Sequence, residues 1–579
     1  MSRDEDAEDK GFAQFERFLD EWSRRDFLRR AGGTAAFLAF SGGIVEFLQA
    51  CAGTSSNNNT SGTPKKGGHV VEGNFSDIRT LNSMLSSDTA SNQVIGLMFD
   101  GLLNYNKADG SLIPALAASL PQQSSDGLTY TFKLRSGLKW SDGQQITSDD
   151  VKFTYQLAYD PQYKAFASPR RGDLSKYIAS IDTPDPLTVI IKTTQVYAPF
   201  LANQALYGIL PKHVLGGMTA AQLNTADYNT APTVVNGAFK FVSWEKGQQV
   251  TMARNDNYWA GPAYLDQWIY KVLPDSVAVT NQLKTGEIDI GPIDPGQFDA
   301  LTGVSTVART EFPVPTFTFY AYQLDPNKPA GPLFQDKAVR QALVYALDRQ
   351  SIVSAIFFNH GVVANSVEPP TSWAYKAKPQ VVIGFDKAKA ESMLDAAGWM
   401  KGSDGIRAKN GMKLKFTMIT NSGNVQRQSM LTYMQQAWNA IGVDATPSLI
   451  QFPQLVSQIV DIRTFDMFLV GFNWGADPDE SALYTTANTA AGGFNGADFK
   501  NDQVDTILNQ ALSTLDKTKR KQLYSQFQDI MSDQQPSPVL LFNTGIWGVN
   551  TRVQGTEFGP FNQYGNRPWN HNVWVTDGK

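Results

Sequence analysis

Residues 413–471 switch repeatedly between a two-residue period and a helical period, and no other stretch restricts the fold as strongly. The pattern predicts a strand at 413–419, a helix at 425–441, a strand at 443–449, a helix at 452–459 and a buried strand at 466–471. Strands alternating with helices in this way argue for parallel βαβ crossovers, since each helix carries the chain back to the edge where the previous strand began.

Other regions carry simpler signals. The near-alternating runs at 128–134 and 187–192 predict half-buried strands. Val504, Ile507, Leu508, Ala511, Leu512 and Leu515 fall on one helical face, and Leu523, Phe527, Ile530 and Met531 fall on a second helix opening near Asp516. Such spacings are core stripes. A further helix at 386–397 is capped by Asp386 and packs through Ala390, Met393, Leu394 and Ala397, with Gly398 placed to end it. No repeat of 20–50 residues is present, which argues against solenoids and propellers.

The first fifty residues follow a different logic. An acidic and polar lead precedes a basic cluster at 23–30, an apolar run at 31–45, and then Leu48-Gln49-Ala50-Cys51. That order is a targeting signal's. Ser23-Arg24-Arg25-Asp26-Phe27-Leu28-Arg29 resembles the twin-arginine export consensus, with Arg24 and Arg25 as its pair. The apolar run is shorter than the roughly twenty residues that a spanning helix needs, so it reads as a signal core. Leu48-Gln49-Ala50-Cys51 resembles the lipobox of bacterial lipoproteins, which implies a lipid anchor on Cys51, the only cysteine of the chain. A single cysteine allows no internal disulfide, so stability must come from the core. The Gly-, Ser- and Asn-rich stretch after it reads as a flexible tether. Of the net charge of -5, residues 1–50 hold seven basic and ten acidic side chains, leaving 43 and 45 beyond them. A body so nearly balanced has no nucleic-acid footprint. Its 12 Trp and 20 Tyr suit a ligand cleft and a large core equally.

Read in order, several blocks resemble the peptide- and nickel-type family of extracellular solute-binding proteins, family 5, which serves ABC importers and includes oligopeptide- and dipeptide-binding proteins. They are Phe99-Asp100-Gly101-Leu102-Leu103, Pro114-Ala115-Leu116-Ala117, Asp126-Gly127-Leu128-Thr129-Tyr130-Thr131-Phe132-Lys133-Leu134 continuing to Trp140-Ser141-Asp142-Gly143, and Asp149-Asp150-Val151. Later come Asn236-Gly237-Ala238-Phe239, Arg254-Asn255-Asp256-Asn257-Tyr258-Trp259, Gly286-Glu287-Ile288-Asp289, Val339-Arg340-Gln341-Ala342-Leu343 and Ala396-Ala397-Gly398-Trp399. Most of these residues read as architectural. Asp142-Gly143 supplies a turn, Asp149 a helix start, and Tyr258-Trp259 a packed aromatic pair.

The resemblance implies an α/β, two-lobed periplasmic-binding-protein type II fold with an extra domain in one lobe. It divides the chain into a signal (1–50), a tether (51–66), a discontinuous lobe I (67–98, 233–315 and 536–579), the extra domain of lobe I (99–232) and lobe II (316–535). It also implies a monomer held on the outer face of the cytoplasmic membrane, working with an ABC permease.

The most ligand-like sequence is Val470-Gly471-Phe472-Asn473-Trp474-Gly475-Ala476-Asp477-Pro478-Asp479, where a buried strand ends in a glycine-bearing loop with aromatic and acidic residues. Open α/β sheets bind ligands beyond their strand ends. Phe472, Asn473, Trp474, Gly475 and Asp477 are therefore the expected ligand-binding residues. In peptide-binding relatives a carboxylate three residues after this tryptophan takes the peptide α-amino group, and Asp477 has that spacing. An aspartate before proline also opens turns, so both roles stand. The arginine that some oligopeptide-binding members place three residues before the tryptophan is replaced by Gly471. Trp474 could stack on a peptide group or on a sugar ring; Trp547 and Tyr564 are further candidates, for which a core role is the alternative.

Capture of an organic solute, foremost a short peptide, follows from the resemblance, with an oligosaccharide-binding member of the family or an exported hydrolase as alternatives. No Gly-x-Ser-x-Gly elbow or His-Glu-x-x-His occurs, and His69, His213, His360 and His571 are scattered. Neither a catalytic residue, a metal nor a cofactor is expected.

Overall fold

The computed structural model describes residues 62–490, 492–561, 567 and 569–579. Arg24, Arg25, Cys51, the 1–50 signal, most of the tether and Tyr564 lie outside the described residues. The main sheet is built on β1 (His69–Asn74), β2 (Phe239–Glu245), β3 (Gln249–Arg254), β4 (Gln267–Val272), β5 (Ile290–Pro292), β6 (Val307–Tyr322), β7 (Lys415–Asn421), β8 (Asp444–Ile450), β9 (Met467–Asn473) and β10 (Val539–Asn550). Their spatial order is β8-β7-β9-β6-β10-β5-β1-β4-β3-β2, and the short strand Gly361–Val363 pairs with β10. The helices that matter for the site are α1 (Thr89–Met98), α2 (Val425–Asn439), α3 (Asp502–Ser513) and α4 (Lys517–Gln534).

The predicted βαβ run forms as read. β7 pairs in parallel with both β8 and β9, and α2 makes the crossover between β7 and β8. Two details differ from the periodicity. The second predicted helix starts as an α-helix at Phe452–Val456 and widens into π-helical turns at Ser457–Ile462. It ends on Arg463 at φ 57°, whose buried guanidinium is held by Asp498 and by the carbonyls of Asn488, Ala490, Asn495 and Gly493. Leu515 leaves the α3 stripe, because that helix stops at Ser513 and Asp516 already caps α4. Leu515 is exposed and instead lies against Gly127.

Strands β6 and β10 run through both halves of the molecule. Their antiparallel ladder pairs Val307 with Asn550 and continues to Pro313 opposite Thr544, then resumes with Phe317 opposite Phe542. Pro313 and Pro315 stand at the interruption, and proline has no N–H to give to a ladder. The hydrophobic cores part at the same place. Phe312 and Val314 pack with Val70, Trp268 and Trp547, whereas Phe317 and Phe319 pack with Phe468, Leu508 and Phe542. Tyr320 and Tyr322 enter a further core with Leu343, Met434 and Trp438. The molecule is thus two lobes joined by a sheet that is weakest in the middle.

Sequence blocks far apart in the chain meet at Asp100. Its carboxylate accepts hydrogen bonds from the Tyr258 hydroxyl at 2.9 Å and from Trp259 Nε1 at 2.6 Å, and its backbone N–H donates to Asn236 Oδ1 at 2.7 Å. Asn257 Nδ2 reaches the carbonyls of Trp140 and Ser141. Tyr258-Trp259 is therefore a packed aromatic pair that also satisfies a buried acid. Asp149 lies in the first turn of its helix, but the capping groups are Thr147 and Asp150. The segment between these blocks carries its own four-stranded sheet, in which Thr129–Lys133 pairs with Thr188–Thr193.

Gly237 donates its N–H to the Met98 carbonyl at 2.7 Å, and a Cβ there would sit 2.4 Å from the Met98 carbonyl carbon. Backbone cannot yield as a side chain does, so Gly237→Ala is expected to cost ~1–3 kcal/mol in denaturant unfolding, as overpacking does.

Candidate functional site

A cleft of about 480 Å³ opens where the β6–β10 ladder breaks. Its floor is Val314, Thr316 and Thr318 from β6 and residues 543–547 from β10. Asn74 at the end of β1 and Gly471, Phe472 and Asn473 at the end of β9 form opposite walls. The first turns of α1 and α2 complete it through Thr89, Ala90, Asn424, Gln426 and Arg427. Strand ends and helix starts converge here because every parallel crossover brings them to the same edge. Small-molecule sites occupy about 300–1,000 Å³, so the cleft can hold a ligand of several residues' or sugars' size.

Its chemistry is mostly neutral. Amides and hydroxyls of Asn74, Gln93, Thr316, Asn424, Asn473 and Asn543 alternate with the rings of Phe75, Phe472 and Trp547. Among the described residues no aspartate or glutamate lines it; its ionisable side chains are His360 and Arg427. His360 Nδ1 lies 3.2 Å from Glu311 and its ring packs 4.5 Å from Phe298. A further bond joins the two sides of the cleft, from Gln426 Nε2 to Asp294 Oδ2 at 3.3 Å.

Of the residues expected from sequence, Phe472 and Asn473 line the cleft, and Asn473 Oδ1 accepts from the Thr316 hydroxyl at 3.1 Å. Trp474 packs behind them, 5.7 Å from Phe317 and 5.1 Å from Phe472, and its backbone N–H donates to the Pro315 carbonyl. Gly475 sits beside Tyr105, whose hydroxyl would lie 3.4 Å from a Cβ at that position. Asp477 is turned inward. Arg520 Nη1 and Nη2 donate to its two oxygens at 2.8 and 2.7 Å, and both side chains are 7% exposed. Burial pushes the Asp477 carboxyl up, and the hydrogen bonds and charge of Arg520 pull it back. The Asx turn belongs to Asp479, which accepts from Ser481 N at 3.0 Å and from the Tyr197 hydroxyl at 3.2 Å.

The same loop ends on a buried acid pair. Glu480 and Glu368 are 0% and 1% exposed, and each carboxyl disfavours charge on the other. Burial, above all, pushes Glu368 up to about 7, and burial and the facing Glu368 carboxyl raise Glu480 well above the usual carboxylate range.

Sequence reasoning passed over Arg427, Thr316 and Thr318, and gave Trp547 a lesser place. The signal for Arg427 was available: the turn after β7 is as much a strand end as the turn after β9, and Asn424 reads as the N-cap of the helix that carries the arginine.

Two outcomes follow from these carboxylates. Asp477→Asn leaves Arg520 buried without its countercharge and should lower the unfolding free energy by ~3–5 kcal/mol in a denaturant titration. For Glu368, the folded protein retains a proton that the unfolded chain releases above about 4.5, so stability falls as pH rises from there through about 7. Glu368→Gln should flatten that decline when unfolding is followed at pH 5, 6 and 7.

A family model for bacterial extracellular solute-binding proteins, family 5 Middle, matches residues 111–494. The chain is 30% identical over 527 residues to the oligopeptide-binding protein AppA of Bacillus subtilis, covering 89% of this chain and 94% of that protein. The solved structure of that AppA in complex with a nonapeptide superposes with a TM-score of 0.79 at 28% identity, over 89% of this chain and all of that one. NikZ from Campylobacter jejuni, solved in complex with Ni(L-His), superposes with a TM-score of 0.76 at 28% identity, over 87% and 99% of the two chains. With a matching family model over most of its length and a two-lobed neighbour over nearly all of its body, the chain belongs to the bacterial extracellular solute-binding proteins of family 5.

Proposed function

We propose that this protein captures a short peptide in the cleft between its lobes and delivers it to an ABC importer. The observation that carries the reading is the position of the cleft: strand ends and helix starts from both lobes meet over a broken ladder, so closing the lobes buries whatever lies between them. Both similar structures hold small organic or metal-chelate cargo, and the relative with the matching oligopeptide-binding name favours peptide. Capture then works by population shift, since a ligand that touches both walls binds the closed state more tightly than the open one.

In this reading lobe I comprises 67–98, 233–315 and 536–579, the extra domain 99–232, and lobe II 316–535, with bending at the interrupted β6–β10 pair. Arg24 and Arg25 direct export, Cys51 carries the lipid, and 51–66 tethers a monomer beside its permease at raised effective concentration. One acyl chain holds a protein only marginally, so the anchor requires more than one.

Calorimetry of the full chain against peptides of two to nine residues tests the proposal. Binding on the order of micromolar, about -8 kcal/mol, with no product formed, is the expected result. Binding of Ni(L-His) or an oligosaccharide with no peptide bound, or turnover of the peptide, would overturn it.

A further inference from the structure

Segment 99–232 lines none of the cleft among the described residues, yet it touches lobe II of the division proposed above. The Tyr197 hydroxyl donates to Asp479 Oδ2 at 3.2 Å, in the loop after β9, and accepts from Asn203 Nδ2 at 3.1 Å. The Ala198 N–H donates to the Leu512 carbonyl at 2.8 Å, near the end of α3. In the turn that follows, Leu515 covers Gly127, where a Cβ would lie 2.7 Å from the leucine Cδ1.

The side chains of α3 divide in the same way. Val504, Ile507, Leu508 and Ala511 pack in the lobe II core with Phe468 and Phe527, whereas Leu512 is buried with Tyr130, Tyr177 and Tyr197. Among the described residues of 316–535, it alone enters that second core. Tyr177 stacks on Tyr197 at 3.8 Å with the rings 6° apart, which fixes the ring that presents its hydroxyl to Asp479.

The chain enters and leaves 99–232 through lobe I, so these contacts close a ring: lobe I, the β6–β10 crossing, lobe II and the 99–232 segment. Bending at the crossing has to open that ring somewhere, and the two attachments of the segment are unequal. Toward lobe I the buried Asp100 carboxylate is held by Tyr258 and Trp259, its N–H by Asn236, and the carbonyls of Trp140 and Ser141 by Asn257. Toward lobe II there are one backbone bond, one hydroxyl on a half-buried carboxylate, and two leucines, of which Leu515 is 45% exposed. Bonds at the solvent edge are readily exchanged for water, whereas a buried acid stripped of its donors is costly. The lobe II side gives way first.

We infer that the 99–232 segment is a clasp on the closed cleft: Gly127, Tyr197 and Ala198 hold Leu515, Asp479 and Leu512, and let go when the lobes part. This rests on the reading of the cleft as a solute site closed by bending, and adds to it a role for the segment that lines no part of the site.

Hydrogen exchange on the full chain, followed at single amides, tests the clasp without any ligand. The reference is Thr193, whose N–H donates to the Leu128 carbonyl at 2.8 Å inside the same segment. In the ligand-free protein Ala198 should exchange about tenfold or more faster than Thr193, because only its partner departs. Equal rates would mean that 99–232 and lobe II move as one body, and would overturn the inference. Leu515→Asp, at an exposed site, should speed Ala198 about threefold further and leave Thr193 and the melting temperature unchanged. Val242→Asp, on an exposed face of lobe I, should change neither amide. An Ala198 rate indifferent to Leu515→Asp also overturns the clasp. Saturating tetra-alanine should slow Ala198 to the Thr193 rate; if the peptide binds and Ala198 stays fast, the clasp has no part in capture and the inference falls. If tetra-alanine and the other peptides all fail to bind while the ligand-free results hold, the clasp stands and the peptide reading alone fails.

Discussion

The β6–β10 pairing is the contact on which the rest of the structure depends. These two long strands belong to both lobes, and Pro313 and Pro315 interrupt their ladder near the middle. Two missing N–H groups loosen the sheet at one point, and three consequences gather there. The cores separate between Val314 and Phe317, the cleft opens over Thr316, and the Pro315 carbonyl is free to accept from Trp474. The candidate site and the proposed place to bend thus share one cause.

The loop after β9 shows how buried charge constrains a reading of function. Asp477, Asp479 and Glu480 lie within four residues; the first is committed to Arg520, the second to Ser481 and Tyr197, and the third is fully buried facing Glu368. Tyr197 and Leu512 lie far apart in the chain, yet Asp479 bonds the first, and the Ala198 N–H bonds the carbonyl of the second. The loop therefore ties the 99–232 segment to the strand that walls the cleft. A carboxylate doing that work is costly to release, since parting from Arg520 would leave two charges out of water. In the proposed reading, recognition falls instead to neutral cleft groups such as Phe472 and Asn473.

Local chemistry was legible wherever one element decides it. Asp386 caps its helix through the Lys389 N–H, Gly398 takes φ 84°, and α2 runs over the residues its pattern marks. Legibility failed where a contact from elsewhere intervened. The π-helical turns at 457–462 end on an arginine held by five groups beyond residue 487, and Leu515 is drawn to Gly127. Pro313 and Pro315 would argue against a central strand by local rule, yet β6 pairs on both sides, with β9 and β10.

The sequence by itself determined the βαβ run, the caps and the identity of the blocks that meet at Asp100, because periodicity, N-cap hydrogen bonding and positive φ act within a few residues. It also marked the end of β9 as one wall of a site. Only the tertiary structure decided which partner each charge receives. Asp477 reads the same in sequence whether it meets a ligand ammonium or Arg520, 43 residues away, and Arg427 gives no local sign that its guanidinium will lie over Gly471. Pairing of buried charges is set by which elements pack together, and that is a property of the whole fold.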